Sequence, residues 1–118
     1  MCLFKGLCIA TSMVFLLIPT SVKAETWVQL DERITIDTDS ILMEENLRAY
    51  WMRFDNSPGF FMANEVVNCT TGKNQVMRIV VYNSLGRVVD DATYQPGEKT
   101  TYIVPGTKGS MVRNFVCQ

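Results

Sequence analysis

The sequence predicts an α+β domain in which an antiparallel sheet of about six strands carries a C-terminal helix on one face. Short segments rich in β-branched and aromatic residues follow one another, separated by turns that contain Gly, Pro, Asn and Asp. Only the last segment has the spacing of an amphipathic helix. Two cysteines far apart in the chain are placed to tie that helix to the sheet by a disulfide.

The segment 1–24 has the layout of a secretory signal peptide. Lys5 is the only charged residue before an apolar run over Leu7–Ile18. Val22 and Ala24 stand at the third and the first position before a cleavage point that follows Ala24. The run is shorter than the roughly 20 residues that a membrane-spanning helix needs. We therefore expect a protein that is exported to the periplasm or secreted. An uncleaved N-terminal anchor is the alternative.

Cleavage leaves a single acidic domain over residues 25–118. It removes two of the 11 basic residues, Lys5 and Lys23, and none of the 12 acidic ones, so 94 of the 118 residues remain with a net charge of −3. No stripe of Lys and Arg is present to neutralise phosphates, so we expect no nucleic-acid partner. The first apolar run does not end in a lipid-attachment cysteine, and no second such run follows. We therefore expect no integral membrane segment and no lipid anchor after cleavage.

Cys69 and Cys117 are the two cysteines that remain after cleavage. A small secreted domain with an even number of cysteines usually pairs them, so we expect a disulfide between these two. Closing a loop of this length stabilises a fold by roughly 4 kcal/mol in the chain-entropy model. Two free buried thiols are the alternative.

The sequence of the first half of the domain predicts three strands. Apolar and polar residues alternate in Thr26–Leu30 and in Arg33–Asp37, with Asp-Glu between them as a tight turn. Asp and Ser in Thr38–Asn46 can bond to their own backbone, so we expect a turn there. Aromatic residues are frequent in Leu47–Asp55, which predicts a third strand.

The second half predicts four further strands. Phe60–Thr70 follows an Asn-Ser-Pro-Gly loop, and a Thr-Gly-Lys-Asn turn separates it from Gln75–Asn83, which is rich in β-branched residues. Arg87–Tyr94 is a weaker segment that suits an edge of the sheet. Thr100–Val104 is a short strand after a Gln-Pro-Gly turn.

The tail after Pro105-Gly106 has a helical period. Four apolar residues recur there with the spacing of one helix face: Met111, Val112, Phe115 and Val116. Thr107 or Ser110 is placed to cap the N-terminus of a helix over roughly Lys108–Val116. A helix of this length is marginal alone in water, so it must pack against the sheet.

Two of the predicted strands, Leu47–Asp55 and Gln75–Asn83, are apolar on both of their faces. An antiparallel sheet with one solvated face alternates apolar and polar residues more cleanly. The helix covers one face. The other face needs a cover as well, which is either the chain's own loops, a second subunit or a partner protein.

Composition excludes several kinds of catalytic site. The chain contains no histidine, which excludes Ser-His-Asp and Cys-His arrangements and His-based metal sites. Asp37–Ser40 begins like a calcium loop, but Ile41 and Leu42 stand where an oxygen ligand and a glycine belong. We therefore expect no catalytic residues, no metal, no cofactor and no enzymatic activity.

The candidate binding residues are aromatic and basic. Phe60 and Phe61 follow the Pro-Gly turn, where they form an exposed binding tip or begin a core strand. Arg78 and Tyr82, in a strand whose second face needs a cover, complete the set.

In order along the chain, these features resemble those of the bacterial surface-adhesin protein E family. The resemblance runs from Trp27 to Cys117 and includes IDTDSI (Ile36–Ile41), RIVVYNSLGRVV (Arg78–Val89) and VPGTKGSMVRNFVC (Val104–Cys117). It implies an antiparallel sheet of about six strands with the C-terminal helix held on it by the disulfide. It also implies a non-enzymatic protein of the cell envelope, since the named members are surface adhesins that bind host proteins.

The sequence therefore predicts a non-catalytic secreted or cell-envelope protein that binds an unidentified protein partner, with a homodimer as one candidate. A surface adhesin that binds host extracellular-matrix proteins is the first alternative. A small periplasmic enzyme or inhibitor is the second. A shared fold does not by itself transfer a function, so the partner has to come from the site.

Cleavage after Ala24 predicts a mature chain that begins at Glu25 and carries no lipid. The intact mass of the protein made in a bacterium is expected to equal that of residues 25–118. A retained Met1 or an added acyl mass would show that this interpretation is wrong.

Overall fold

The computed structural model describes residues 26–118, in which seven strands form one antiparallel sheet and are followed by one helix. The elements, in chain order, are β1 (Trp27–Gln29), β2 (Ile34–Glu44), β3 (Leu47–Asn56), β4 (Gly59–Asn68), β5 (Lys73–Tyr82), β6 (Val88–Thr93), β7 (Thr100–Tyr102) and α1 (Lys108–Val116). Strands β1 to β6 lie side by side in chain order, and β6 and β7 pair with successive parts of β5. The predicted fold class is confirmed.

The hydrophobic core lies between α1 and one face of the sheet, which we call the helix face. Val112 and Val116 of the helix are buried there against alternate residues of three neighbouring strands. Those strand residues are Ile34, Ile36, Tyr50, Met52, Ala63 and Val67. Residues two apart in a strand point to the same face of the sheet. The positions of these core residues therefore decide which face of the sheet is turned toward the helix. Phe115, also predicted to pack here, contacts the core while partly buried.

The first turn of α1 is fixed by a cap and an ion pair. Thr107 is the cap, and its Oγ1 accepts the N–H of Ser110 at 3.3 Å. Lys108 Nζ lies 2.6 Å from Asp31 Oδ2, which connects the helix to the loop between β1 and β2. The same carboxylate accepts two backbone N–H groups at the start of β2, at 2.8 Å each. The hydrogen bond from Lys108, more than these two, lowers the pKa of Asp31 to about 2.

The last turn of α1 is held by the predicted disulfide. Cys69 and Cys117 are bonded, with their Cα atoms 5.7 Å apart. Arg113 Nη2 also donates a hydrogen bond of 2.6 Å to the carbonyl oxygen of Cys69. One covalent bond and one hydrogen bond therefore attach the helix to the end of β4.

The prediction of a turn over Thr38–Asn46 was wrong, because most of this segment continues β2. The register between β2 and β3 shifts after Asp37, which marks a β-bulge. At the bulge, the Ser40 hydroxyl accepts the N–H of Trp51 at 2.9 Å and donates to the carbonyl of Asp37 at 2.7 Å. The local side-chain bonding expected of a turn is present, but it satisfies the backbone of a bulged strand. Only the last two residues of the segment form the hairpin turn.

Residues 26–118 include no helix with the length and hydrophobicity of a transmembrane span. The predicted signal peptide, 1–24, lies outside the described residues. Its processing remains a prediction for the mass measurement described above.

Replacing Cys117 by serine removes the bond that holds the last turn of α1. The unfolded chain then gains the freedom of a long open loop, so Cys117→Ser is expected to lower the free energy of unfolding by roughly 2–5 kcal/mol. Urea denaturation of the oxidised parent and of the variant measures this difference. The double variant Cys69→Ser/Cys117→Ser is the control, and it should lose as much stability as the single one. A Cys117→Ser protein with the same free energy of unfolding as the parent would refute the expectation.

Candidate functional site

The sheet face opposite α1 carries a groove lined with aromatic residues, which we call the open-face groove. It consists of two adjoining cavities of about 300 and 580 Å³. Trp27, Met62 and Tyr82 line both cavities. The groove therefore runs across several strands of the sheet.

Strand alternation explains why the groove forms on this face. In β3, Trp51 and Arg53 line the groove, whereas Tyr50 and Met52, which alternate with them, are buried in the core. Strand β3 carries apolar residues on both of its faces because one face packs in the core and the other lines the groove.

One end of the groove is a stacked aromatic platform. Phe60 and Tyr82 are partners across β4 and β5, and their ring centroids lie 4.6 Å apart with an interplanar angle of 12°. The guanidinium carbon of Arg53 lies 3.8 Å from the centroid of the Phe60 ring. Arg53 Nη2 also lies 3.0 Å from Asp55 Oδ1. The cation is therefore held on the ring by a carboxylate of its own strand.

The other end of the groove holds a paired arginine. Arg78 on β5 donates from Nε and Nη2 to the two carboxylate oxygens of Asp91 on β6, at 3.0 and 2.7 Å. This two-bond geometry fixes the guanidinium plane as well as its position. The hydrogen bonds from Arg78 lower the pKa of Asp91, and the same bonds raise the pKa of Arg78.

Asp37 lines the groove and is a largely buried charged residue. Its exposure is 7 %, and in the sheet register it stands between Trp27 and Trp51. Its Oδ1 accepts the backbone N–H of Asp39 at 3.1 Å. Asp37 therefore has a tryptophan as its neighbour on each of the two adjacent strands, Trp27 on β1 and Trp51 on β3.

The structure brings together three of the four predicted binding residues. Phe60, Arg78 and Tyr82 line the groove. Phe61 lies on the helix face instead, where its ring stacks on Phe54 with centroids 5.2 Å apart and packs against the core. Of the two roles considered for the aromatic pair, Phe60 lies at a candidate binding surface and Phe61 begins a core strand.

Sequence reasoning missed the contribution of Trp27, Trp51 and Asp37 to the groove. Trp51 is predicted only as part of the strand Leu47–Asp55, which is apolar on both of its faces. Asp37 is predicted as the last residue of the strand Arg33–Asp37, where nothing in the sequence indicates a buried carboxylate in a groove. The available signal was the shared parity of Trp51 and Arg53 within β3, which would have placed both on one face.

A smaller cavity of about 160 Å³ lies between α1 and the helix face, and Glu65 lines it. Glu65 Oε1 accepts hydrogen bonds from the Tyr50 hydroxyl at 2.9 Å and from Asn74 Nδ2 at 3.5 Å. Burial raises the pKa of Glu65, and the two hydrogen bonds oppose that rise. Burial also raises the pKa of Tyr50, and the neighbouring Glu65 raises it further. Lys108 lines the same cavity, but its ammonium group is paired with Asp31.

These cavities differ in the chemistry that their residues can support. Glu65 is the only carboxylate that lines its cavity, whereas paired acid–base catalysis needs two groups that converge on one substrate. In the described part of the chain, no three metal-ligating side chains lie close enough together to hold a metal ion. The open-face groove offers aromatic and apolar surface with charges in fixed positions, which is suited to binding.

No protein-family model and no curated protein sequence matches the chain. Crystal form II of Haemophilus influenzae protein E is a solved structure that is similar to it, with a TM-score of 0.62 and 16% sequence identity. The likeness covers 84% of this chain and 91% of that chain. At this identity it shows a shared fold, in agreement with the fold that the resemblance to the protein E family implies.

Replacing Glu65 by glutamine is expected to raise the melting temperature near neutral pH. The pKa of Glu65 is higher in the folded protein than its ordinary value of 4.5, so the folded state binds the proton more tightly. The free energy of unfolding therefore falls as the pH rises above about 4.5 toward the folded pKa. Glutamine keeps an oxygen that accepts from Tyr50 and carries no charge.

Thermal melts of the parent and of Glu65→Gln over a pH series from acid to neutral test this expectation. The advantage of the variant should grow as the pH rises. The control is Glu32→Gln, which removes the same charge from an exposed position in the loop between β1 and β2. An advantage that does not change with pH would contradict the raised pKa of Glu65.

Proposed function

We propose that the protein is a non-catalytic interaction module, secreted or located in the cell envelope, that binds a partner protein through the open-face groove. The observation that carries this proposal is the aromatic and apolar surface on the sheet face opposite the helix. Its principal members are Trp27, Trp51, Phe60, Met62 and Tyr82. Aromatic residues and methionine are enriched at protein interfaces relative to the rest of a protein surface.

Preorganisation of the groove supports a binding role. The Phe60 ring is held between Tyr82 and the guanidinium group of Arg53. Arg78 is held by two hydrogen bonds to Asp91. Side chains that are already ordered lose less conformational entropy when a partner binds, so more of the contact energy contributes to affinity.

A surface adhesin that binds host extracellular-matrix proteins is the second candidate function. The fold likeness to protein E and the sequence resemblance to that adhesin family favour it. This candidate requires display on the cell surface, whereas the first is also compatible with the periplasm. Protease treatment of intact cells separates the two, because only a displayed protein is digested.

A homodimer is a further candidate for the cover of the open face. Two copies joined through their grooves would bury the same aromatic surface that a different partner protein would contact. Sedimentation of the purified protein at micromolar concentration distinguishes self-association from binding to another protein.

Met62→Lys is expected to abolish partner binding, because it places a charge in the part of the groove that both cavities share. The oxidised mature protein is immobilised, and the proteins that it captures from envelope and host-matrix extracts are quantified by mass spectrometry. A partner of the groove should be captured by the parent and lost with Met62→Lys. Sedimentation of the same variant tests the homodimer.

The matched control is Val104→Lys, which introduces the same charge at an exposed apolar residue outside the groove. This variant should retain both capture and self-association. If Met62→Lys folds like the parent and captures the same proteins in the same amounts, the groove is not the binding surface.

A further inference from the structure

The open-face groove is lined by three acidic side chains and two basic ones. Five charged side chains line it, and Arg53 is paired with Asp55 while Arg78 is paired with Asp91. Within residues 26–118, no Lys or Arg forms an ion pair with the remaining residue, Asp37. The two guanidinium groups are thus neutralised by their own partners. The groove retains one carboxylate in excess.

Asp37 is a largely buried acidic residue with no cationic partner among residues 26–118. It is only 7 % exposed, and among the described contacts its carboxylate receives one backbone hydrogen bond, from Asp39 to Oδ1. An ionised carboxylate can accept several hydrogen bonds through its two oxygens. Removing such a group from water without a compensating cation is costly. A ligand that brings a cation into the groove would therefore supply the counter-ion that Asp37 lacks among the described contacts.

The surroundings of Asp37 match the other parts of a basic side chain. Trp51 lines the same cavity and belongs to the residue type whose ring attracts cations most strongly. Met62 and Val80 also line this cavity and offer apolar surface to an alkyl stem. Lysine and arginine combine such a stem with a charged end. The cavity of about 300 Å³ thus has a suitable contact for each part of the side chain.

We propose that the open-face groove recognises a basic side chain of the partner protein, with Asp37 as its counter-ion. This inference rests on the proposed function, because it specifies the partner chemistry at the same groove. Charge complementarity of this kind contributes more to partner selection and orientation than to total affinity. The acidic character of the mature domain further favours the approach of a basic partner.

The two tryptophans provide a direct test, because they are the only tryptophans in the chain and both line the groove. Their indole N–H groups give separate signals in nitrogen–proton NMR spectra. The probes are blocked peptides Gly-Gly-X-Gly-Gly, in which X is lysine, norleucine or glutamate. Norleucine has the apolar stem of lysine without its charge. The lysine peptide is expected to shift the indole signals and to bind about tenfold more tightly than the other two, the value of one charge-assisted hydrogen bond.

Asp37→Asn is expected to abolish the preference for lysine over norleucine. Asparagine keeps a side-chain oxygen that accepts the N–H of Asp39, and the NMR spectrum itself reports whether the variant is folded. Asp39→Asn is the matched control, since it removes a neighbouring exposed carboxylate and should keep the preference. If Asp37→Asn fails to fold, the comparison of the three peptides on the parent protein still decides the matter.

Several results would overturn the inference: equal binding of lysine and norleucine, a preference for glutamate, no shift with any peptide, or a lysine preference retained in Asp37→Asn. Failure here is distinguishable from failure of the proposed function. A partner whose capture is lost with Met62→Lys but is insensitive to Asp37→Asn and to excess lysine peptide would refute only the basic side chain. Capture that survives Met62→Lys would refute the groove itself.

Discussion

The structure depends on keeping a nine-residue helix on one face of the sheet. A helix of this length does not persist alone in water, so its contacts with the sheet have to maintain it. The ion pair between Lys108 and Asp31 fixes its first turn, and the disulfide between Cys69 and Cys117 fixes its last. Between these two attachments the helix buries Val112 and Val116, which decides which face of the sheet becomes the core.

The choice of one face as the core leaves a groove on the other face. Strand β3 has large side chains on both sides, and the helix accommodates only one side. The opposite face of the sheet carries tryptophan, tyrosine and phenylalanine residues from several strands, together with two arginines that are each paired with a carboxylate. The fold likeness to protein E places this arrangement on a known architecture.

Features encoded by neighbouring residues could be predicted from the sequence. The helix bounds and the positions of most strands follow from periodicity and turn residues, the cap is narrowed to Thr107 or Ser110, and the disulfide follows from the cysteine count. The segment from 38 to 46 could not be assigned in this way, since Ser40 forms the same kind of local bond in a turn and in a bulge. Its true state depends on pairing with β3. The groove was only partly predictable for a related reason, because the burial of Asp37 comes from strands on both sides of it.

The position of Cys117 also sets an order of events. It lies after all seven strands in residues 26–118, and its partner Cys69 lies at the end of β4. During synthesis from the N-terminus, every strand is therefore made before the helix and before the second thiol. Until the helix has been made, nothing in the described chain can cover the helix face of the sheet, and the disulfide cannot form. A chain truncated before residue 108 would therefore leave Cys69 without its partner and the core residues of the sheet exposed.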